Sequence, residues 1–135
     1  MNRIMAIDFG TKRIGVAITD PDRIIATALA TITASRIFDF LKDYFSKEAV
    51  DLVIIGYPYT SDGNQGAIQK KILNFAAKLK QEFNKEVVLF DERYTPKLAF
   101  QTMIDAGIKK KKRRDKATID RISATILLQD YLKTI

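Results

Sequence analysis

Carboxylates are the residues best able to do chemistry in this chain, because the sequence contains neither histidine nor cysteine. Their absence excludes a thiolate nucleophile, an imidazole base and a zinc site built from cysteines. Acidic side chains of interest stand at Asp8, at the pair Asp91 and Glu92, and at Asp120. Oxygen ligands suit hard cations such as Mg²⁺ or Mn²⁺. The residue set therefore favours metal-assisted chemistry.

The elements that must position these acids are predicted from hydrophobic periodicity. The first three apolar segments predict an antiparallel meander, and the rest of the chain predicts helices that alternate with strands. The predicted strands are 3–9, 14–19, 24–33, 51–56 and 86–90, and the predicted helices are 37–45 with Ser35 as N-cap, 68–83, 95–107 and 118–133. In the last helix, we expect Ile119, Ile122, Ile126 and Leu127 on one side. Right-handed crossovers make the later strands parallel to the first. The fold class is therefore α/β, with three antiparallel strands, then two parallel ones, and flanking helices.

Most of the acids fall at predicted strand ends. Asp8 ends the first strand, and Asp91 and Glu92 follow the fifth. The carboxyl ends of parallel strands meet at one edge of a sheet, so Asp8 and one of the pair should converge there. Adjacent residues of an extended segment point to opposite faces, which leaves open whether Asp91 or Glu92 faces the site. Two close carboxylates repel unless a proton or a cation lies between them, and we expect a metal ion.

Each of these residues also has a purely structural explanation. An aspartate at a strand end, such as Asp8, is commonly a turn former. One acid of the Asp91–Glu92 pair could simply pair with Arg93. Asp120 falls in the first turn of the predicted last helix, where it could complement the helix dipole by about 0.3–1 kcal/mol. The basic run 109–116 could be a solvated loop.

Composition limits the class of protein. The 135 residues suffice for a single domain, 1–135, and 47% of them are apolar. No apolar run approaches the roughly 20 residues of a membrane span, and the first residues do not resemble a signal peptide. We therefore expect a cytoplasmic protein that does not enter a membrane. The net charge of +7 suggests a polyanionic partner such as nucleic acid.

Four motifs, in order, resemble those of the YqgF/RuvX family. Ala6–Ala17 resembles its opening motif, and Gly56-Tyr57-Pro58 followed by Asp62-Gly63 resembles its second. Asp91–Thr95 is close to the signature Asp-Glu-Arg-Leu-Thr, and the segment from Asp120 to Leu132 resembles the terminal helix. The chain departs from the pattern at Tyr57 and Tyr94, where leucine is more usual. The resemblance spans nearly the whole sequence.

The resemblance implies an RNase H-like nuclease related to the RuvC resolvases. The family is described as maturing the 5′ end of precursor 16S ribosomal RNA, and an older description is Holliday junction resolvase. The implied catalytic acids are Asp8, Glu92 and Asp120, with Asp91 a possible substitute for Glu92. In the hypothesised mechanism, these residues hold two Mg²⁺ or Mn²⁺ ions that assist hydrolysis of a phosphodiester bond.

The implied partner is nucleic acid: structured RNA such as a ribosomal precursor, or branched DNA. Gly10 would let a phosphate approach the chain closely because it lacks a Cβ. Candidate phosphate contacts beside the site are Lys12, Arg13 and Arg93. Flanking nucleic acid would be held by Lys110, Lys111, Lys112, Arg113 and Arg114.

Two other function classes remain open from the sequence. Asp-x-Gly-Thr after a strand is also found in actin-like ATP-binding proteins, which normally close two such domains over the nucleotide. A non-catalytic RNA-binding factor in ribosome assembly would keep the basic surface without needing the acids. Within the nuclease hypothesis, a junction resolvase needs two sites in a symmetric homodimer, whereas a monomer suits RNA trimming.

Overall fold

A five-stranded mixed sheet forms the centre of the computed structural model, which describes residues 2–58, 66–91 and 115–135. The strands are β1 (Arg3–Asp8), β2 (Arg13–Thr19), β3 (Ala26–Thr33), β4 (Val50–Tyr57) and β5 (Glu86–Asp91). Their spatial order is β3-β2-β1-β4-β5. The first three strands pair antiparallel, and β1, β4 and β5 pair parallel. The predicted fold class is confirmed.

Helices cover both faces of this sheet. The helices of the described residues are α1 (Ile37–Lys47), α2 (Gly66–Phe83) and α3 (Lys116–Leu132). α1 and α2 share the larger apolar core with one face of the sheet, and α3 packs against the other face in a smaller core. In the described part of the chain, none of these helices is long and apolar enough to cross a bilayer. The predicted helix 95–107 lies outside the described residues.

Strand β1 shows why the strands read as continuous apolar runs. Met5 and Ile7 lie in the larger core, and Ile4 and Ala6 lie in the smaller one. All four side chains are fully buried, because both faces of a sheet of this kind are covered by helices. Burying each large aliphatic side chain stabilises the fold by roughly 1.5–3 kcal/mol. The next residue in the row of Ile4 and Ala6 is Asp8.

Three local predictions were wrong. Ser35 does not cap α1: it lies in a 3₁₀ turn, and α1 follows Arg36, whose side chain makes no capping bond. β3 begins at Ala26 rather than at Ile24. The backbone N–H groups of Ile24 and Ile25 instead donate to the Asp20 carboxylate, at 2.8 Å each.

The third wrong prediction concerns the buried side of α3. Leu127 is buried as predicted, but the residues buried with it in the middle turns are Ser123, Ala124 and Leu128, whereas Ile119, Ile122 and Ile126 are only half-buried. The apolar residues of α3 are distributed around the whole helix, so its sequence does not define a single apolar face. The small side chains of Ser123 and Ala124 allow the helix to approach the sheet closely.

Candidate active site

Asp8 occupies the carboxyl end of β1, on the face of the sheet that α3 covers. Its partner on β2 is Gly15. On the other side, Ile7 pairs with Ile55 of β4, so the neighbour of Asp8 on that strand is Gly56. The half-buried aspartate is therefore flanked on both neighbouring strands by glycines, which are typical of places where another backbone or a ligand approaches closely.

Gly15 also brings Asp120 to this position. A Cβ added to Gly15 would lie 2.6 Å from the carbonyl carbon of Asp120, and closer still to the carbonyl oxygen. The backbone of α3 therefore rests directly on the strand there. Gly15 therefore adjoins both Asp8, its partner on β1, and the backbone of Asp120 on α3. The structure thus brings two of the predicted acids next to the same glycine.

The structure corrects one explanation of Asp120. α3 begins at Lys116, two residues earlier than the sequence predicts, and no acidic residue lies in its first turn. Asp120 is therefore beyond the turn in which a carboxylate complements the helix dipole. That purely structural reason for an acid at this position is removed.

An ion pair orients the Asp120 carboxylate. Arg13, the first residue of β2, donates from its Nε to Oδ2 of Asp120 at 3.0 Å, across 107 residues of sequence. The side chains are 38% and 23% exposed, so solvent screens the pair only in part. One bond does not exhaust the roughly four acceptor directions of a carboxylate. Asp120 therefore keeps the capacity to ligate a cation.

Further contacts hold the start of α3 against the sheet. The Thr31 hydroxyl of β3 donates to the carbonyl of Ala117, one residue before Thr118. The buried Thr118 hydroxyl in turn donates to the carboxylate of Asp115 at 2.8 Å. These contacts fix the turn of α3 that precedes Asp120.

The turn between β1 and β2 carries the predicted phosphate contacts Lys12 and Arg13. A Cβ on Gly10 would meet the carbonyl group of Arg13, so the turn itself requires glycine there. The Lys12 carbonyl accepts the backbone N–H of Ala34 at 2.9 Å, which ties the turn to the end of β3. Lys12 is exposed, and Arg13 holds Asp120. Their contacts with phosphate remain predictions.

Of the pair Asp91 and Glu92, Asp91 alone lies among the described residues. Asp91 ends β5, pairs with Tyr57 and is exposed. Leu89 of the same strand packs against the larger core, and Phe90 against the smaller one. Strand alternation therefore puts Asp91 in the row opposite to that of Asp8. The predicted site residues Glu92, Arg93, Lys110, Lys111, Lys112, Arg113 and Arg114 lie outside the described residues.

Two residues of the site were missed from the sequence. Gly15 and Gly56 interrupt apolar strands, and a glycine inside a strand marks a place where another backbone or a ligand approaches closely. That signal was available and would have pointed to both positions.

Within 2–58, 66–91 and 115–135, no three acidic side chains form a group that could hold a metal ion.

Comparison with known proteins identifies the family. Residues 2–134 match the family described as "RuvX: Holliday junction resolvase". This chain belongs to the RuvX family. A relative from Flavobacterium psychrophilum is 51% identical over 133 residues, which cover 98% of this chain and 97% of the relative. One from Phocaeicola vulgatus is 44% identical over 135 residues, or 99% and 97% of the two chains. Both are named "Putative pre-16S rRNA nuclease".

Solved structures confirm the fold of this RuvX protein. It is similar to Thermus thermophilus RuvC in complex with a Holliday junction substrate, with a TM-score of 0.61 at 12% identity, over 98% of this chain and 94% of the other. The Fowlpox virus resolvase, solved with Holliday junction DNA, gives 0.55 at 14% identity over 98% and 99%. The RuvX chain therefore has the RuvC-like RNase H fold, and its family is one of nucleases.

Proposed function

We propose that this RuvX protein is a metal-dependent endonuclease that processes the 5′ end of precursor 16S ribosomal RNA. The observation that carries the proposal is that Asp8 and Asp120 adjoin the same glycine, Gly15, at the carboxyl end of the parallel strands. The names of the relatives supply the substrate class. Membership of a nuclease family weighs against the ATP-binding alternative.

The donor chemistry at this position fits Mg²⁺ or Mn²⁺. Asp8 and Asp120 supply only oxygen atoms, which are the ligands that such hard cations prefer. We propose that these two acids and Glu92 would hold a pair of ions. When bound, such ions supply Lewis-acid stabilisation of the charge that develops on the phosphate during hydrolysis.

Strand alternation favours Glu92 over Asp91 as the third acid. Val88 and Phe90 are the β5 residues that pack on the side of α3, so Asp91 belongs to the other row, and the family motif offers Glu92 as the remaining acid. Asp91 remains the alternative from the sequence motif. Exchanging each for its amide, in Glu92→Gln and Asp91→Asn, tests the choice by the rate of cleavage.

The other residues of the proposed site orient an acid or bind the nucleic acid. Arg13 fixes the direction of the Asp120 carboxylate, so the acid does not need to reorganise when a cation binds. Lys12 lies exposed at the tip of the adjacent turn, where its ammonium group would contact a backbone phosphate. Arg93 and the basic residues 110–114 would extend that contact along the nucleic acid.

The proposal is tested by cleavage of a precursor 16S ribosomal RNA and of a synthetic four-way DNA junction, with and without Mg²⁺ or Mn²⁺. We expect cleavage of the RNA only with the metal, and its loss in Asp8→Asn with binding retained. Asp39→Asn, on the exposed surface of α1, is the matched control and should cleave normally.

Other outcomes of this experiment identify the alternatives. Cleavage of the junction alone, by a homodimer, would assign a resolvase. RNA binding without metal-dependent cleavage would assign a non-catalytic assembly factor. Full activity of Asp8→Asn would exclude the active site proposed here.

A further inference from the structure

Four exposed lysines lie along α2, and the proposed active site does not use them. Lys70, Lys71, Lys78 and Lys80, here called the α2 lysine patch, are all exposed. Glu82 is the one acidic residue of α2. α1 and α3, by contrast, each carry equal numbers of acidic and basic side chains. Among the described helices, α2 is therefore the one with an excess of positive charge.

Two exposed lysines elsewhere in the described chain, Lys47 and Lys133, have a carboxylate partner, whereas the lysines of the patch have none among the described residues. Lys47 of α1 pairs with Asp43 at 3.2 Å, one helical turn away. No ion pair between described residues involves an α2 lysine. The Lys78 ammonium lies 4.2 Å from the ring centroid of Phe38, so this lysine also packs against α1. The positive charge of the patch remains available to an anion in solution.

The location of α2 connects the patch to the active-site end of the sheet. The Gln69 side-chain amide donates to the carbonyl of Pro58, the residue that follows β4. α2 therefore starts at the carboxyl end of the parallel strands, where Asp8 lies. Its 18 residues extend for about 27 Å along the opposite face of the sheet. An elongated polyanion bound at that end could follow the helix.

We propose that the α2 lysine patch binds backbone phosphates of the nucleic acid that flanks the cleaved segment. This inference rests on the proposed function. The exposed surface of α2 carries no aromatic side chain, so it offers nothing on which bases could stack. Lysine ammonium groups bind phosphate as point charges. The patch therefore increases affinity for any flanking sequence without selecting among sequences.

The test measures binding on the Asp8→Asn background, so that cleavage does not interfere. Lys70→Gln/Lys71→Gln removes two charges of the patch and leaves Lys78 on Phe38. Lys42→Gln/Lys47→Gln is the matched control, because it removes two lysines from the balanced helix α1. The probes are two RNA duplexes of unrelated sequence, each of roughly 20 base pairs, titrated at several salt concentrations. Thermal melting shows that each variant folds.

We expect the slope of log affinity against log salt to become shallower by about one for each patch lysine removed, equally for both duplexes. The α1 control should keep the slope of the parent. An unchanged slope in the patch variant, or an equal change in the control, would overturn the inference and leave the proposed function intact. Absence of any binding by the parent protein would overturn both.

Discussion

At the scale of single residues, the site depends on one ion pair as much as on its acids. The Arg13–Asp120 bond joins the start of β2 to α3. Arg13 is predicted from the sequence as a phosphate contact, and the structure shows that its Nε is directed to a carboxylate. A residue that orients a metal ligand and a residue that binds substrate have different kinetic signatures, so the two roles can be separated.

We predict that Arg13→Gln lowers the cleavage rate at saturating substrate by about 10–100-fold, the usual cost of losing a partner that orients a metal ligand. The salt dependence of nucleic-acid binding should change little. Arg23→Gln is the control, because Arg23 pairs with Asp51 away from the site. A normal rate together with a salt slope shallower by about one would instead assign Arg13 to phosphate binding.

At the scale of elements, the decisive contact is the close approach of α3 to β2. It depends on the missing side chain of Gly15, because a Cβ would enter the space of the Asp120 carbonyl group. The small residue Ala124, fully buried in the same core, continues this close packing along α3. Because α3 contacts β2 at this point, a side chain at position 15 that pushed α3 away from the strand would also move Asp120.

Gly15→Ala should therefore destabilise the protein by about 1–3 kcal/mol, the usual cost of overpacking, and lower the cleavage rate by moving Asp120. Denaturant unfolding and cleavage assays measure the two effects. Gly66→Ala is the matched control, since a Cβ at Gly66 meets no atom within 4 Å. If Gly15→Ala kept wild-type stability and activity, the close contact would not position the acid.

At the scale of the whole molecule, the two ends of the sheet have different roles. The proposed active site occupies the carboxyl end of the parallel strands. At the other end, hydrogen bonds hold the strand ends and the turn together. There the Arg3 guanidinium donates to the Thr19 carbonyl at 2.9 Å, and Asp20 accepts two backbone N–H groups of the turn before β3. These contacts contribute to global stability without touching the site.

Asp20 makes part of that stability dependent on pH. The backbone N–H of Ile25, together with that of Ile24, lowers the pKa of the Asp20 carboxyl below its ordinary value of 3.8. A lowered pKa in the folded state means that the contribution is full above the unfolded value and is lost as the pH falls through the folded value.

Asp20→Asn should therefore melt at a lower temperature than the wild type at pH 7. The difference should shrink as the pH falls below about 4 and through the lowered folded-state pKa, at which the wild-type carboxyl also becomes neutral. Melting curves between pH 7 and pH 3 measure this trend. A difference that stayed constant over that range would show that the charge of Asp20 does not contribute.

Much of the fold was predictable because the relevant signals are local. Alternation and apolar runs identify the five strands, and the order of strands and helices implies a mixed sheet. The prediction failed at the start of α1, the start of β3 and the buried side of α3. The contacts of Asp20 decide where β3 starts, and the close approach to Gly15 decides which side of α3 is buried. Spacing along the chain reveals neither.

By itself, the sequence indicated which residues could do chemistry and determined where the first of them lies. A chain without histidine or cysteine favours carboxylates, and the apolar run before Asp8 places that acid at a strand end. Only the tertiary structure decided that Asp120 lies at the same glycine as Asp8, and that Arg13 holds it. The physical reason is that these contacts depend on the close packing of α3 against Gly15. They join segments that lie about a hundred residues apart in the sequence.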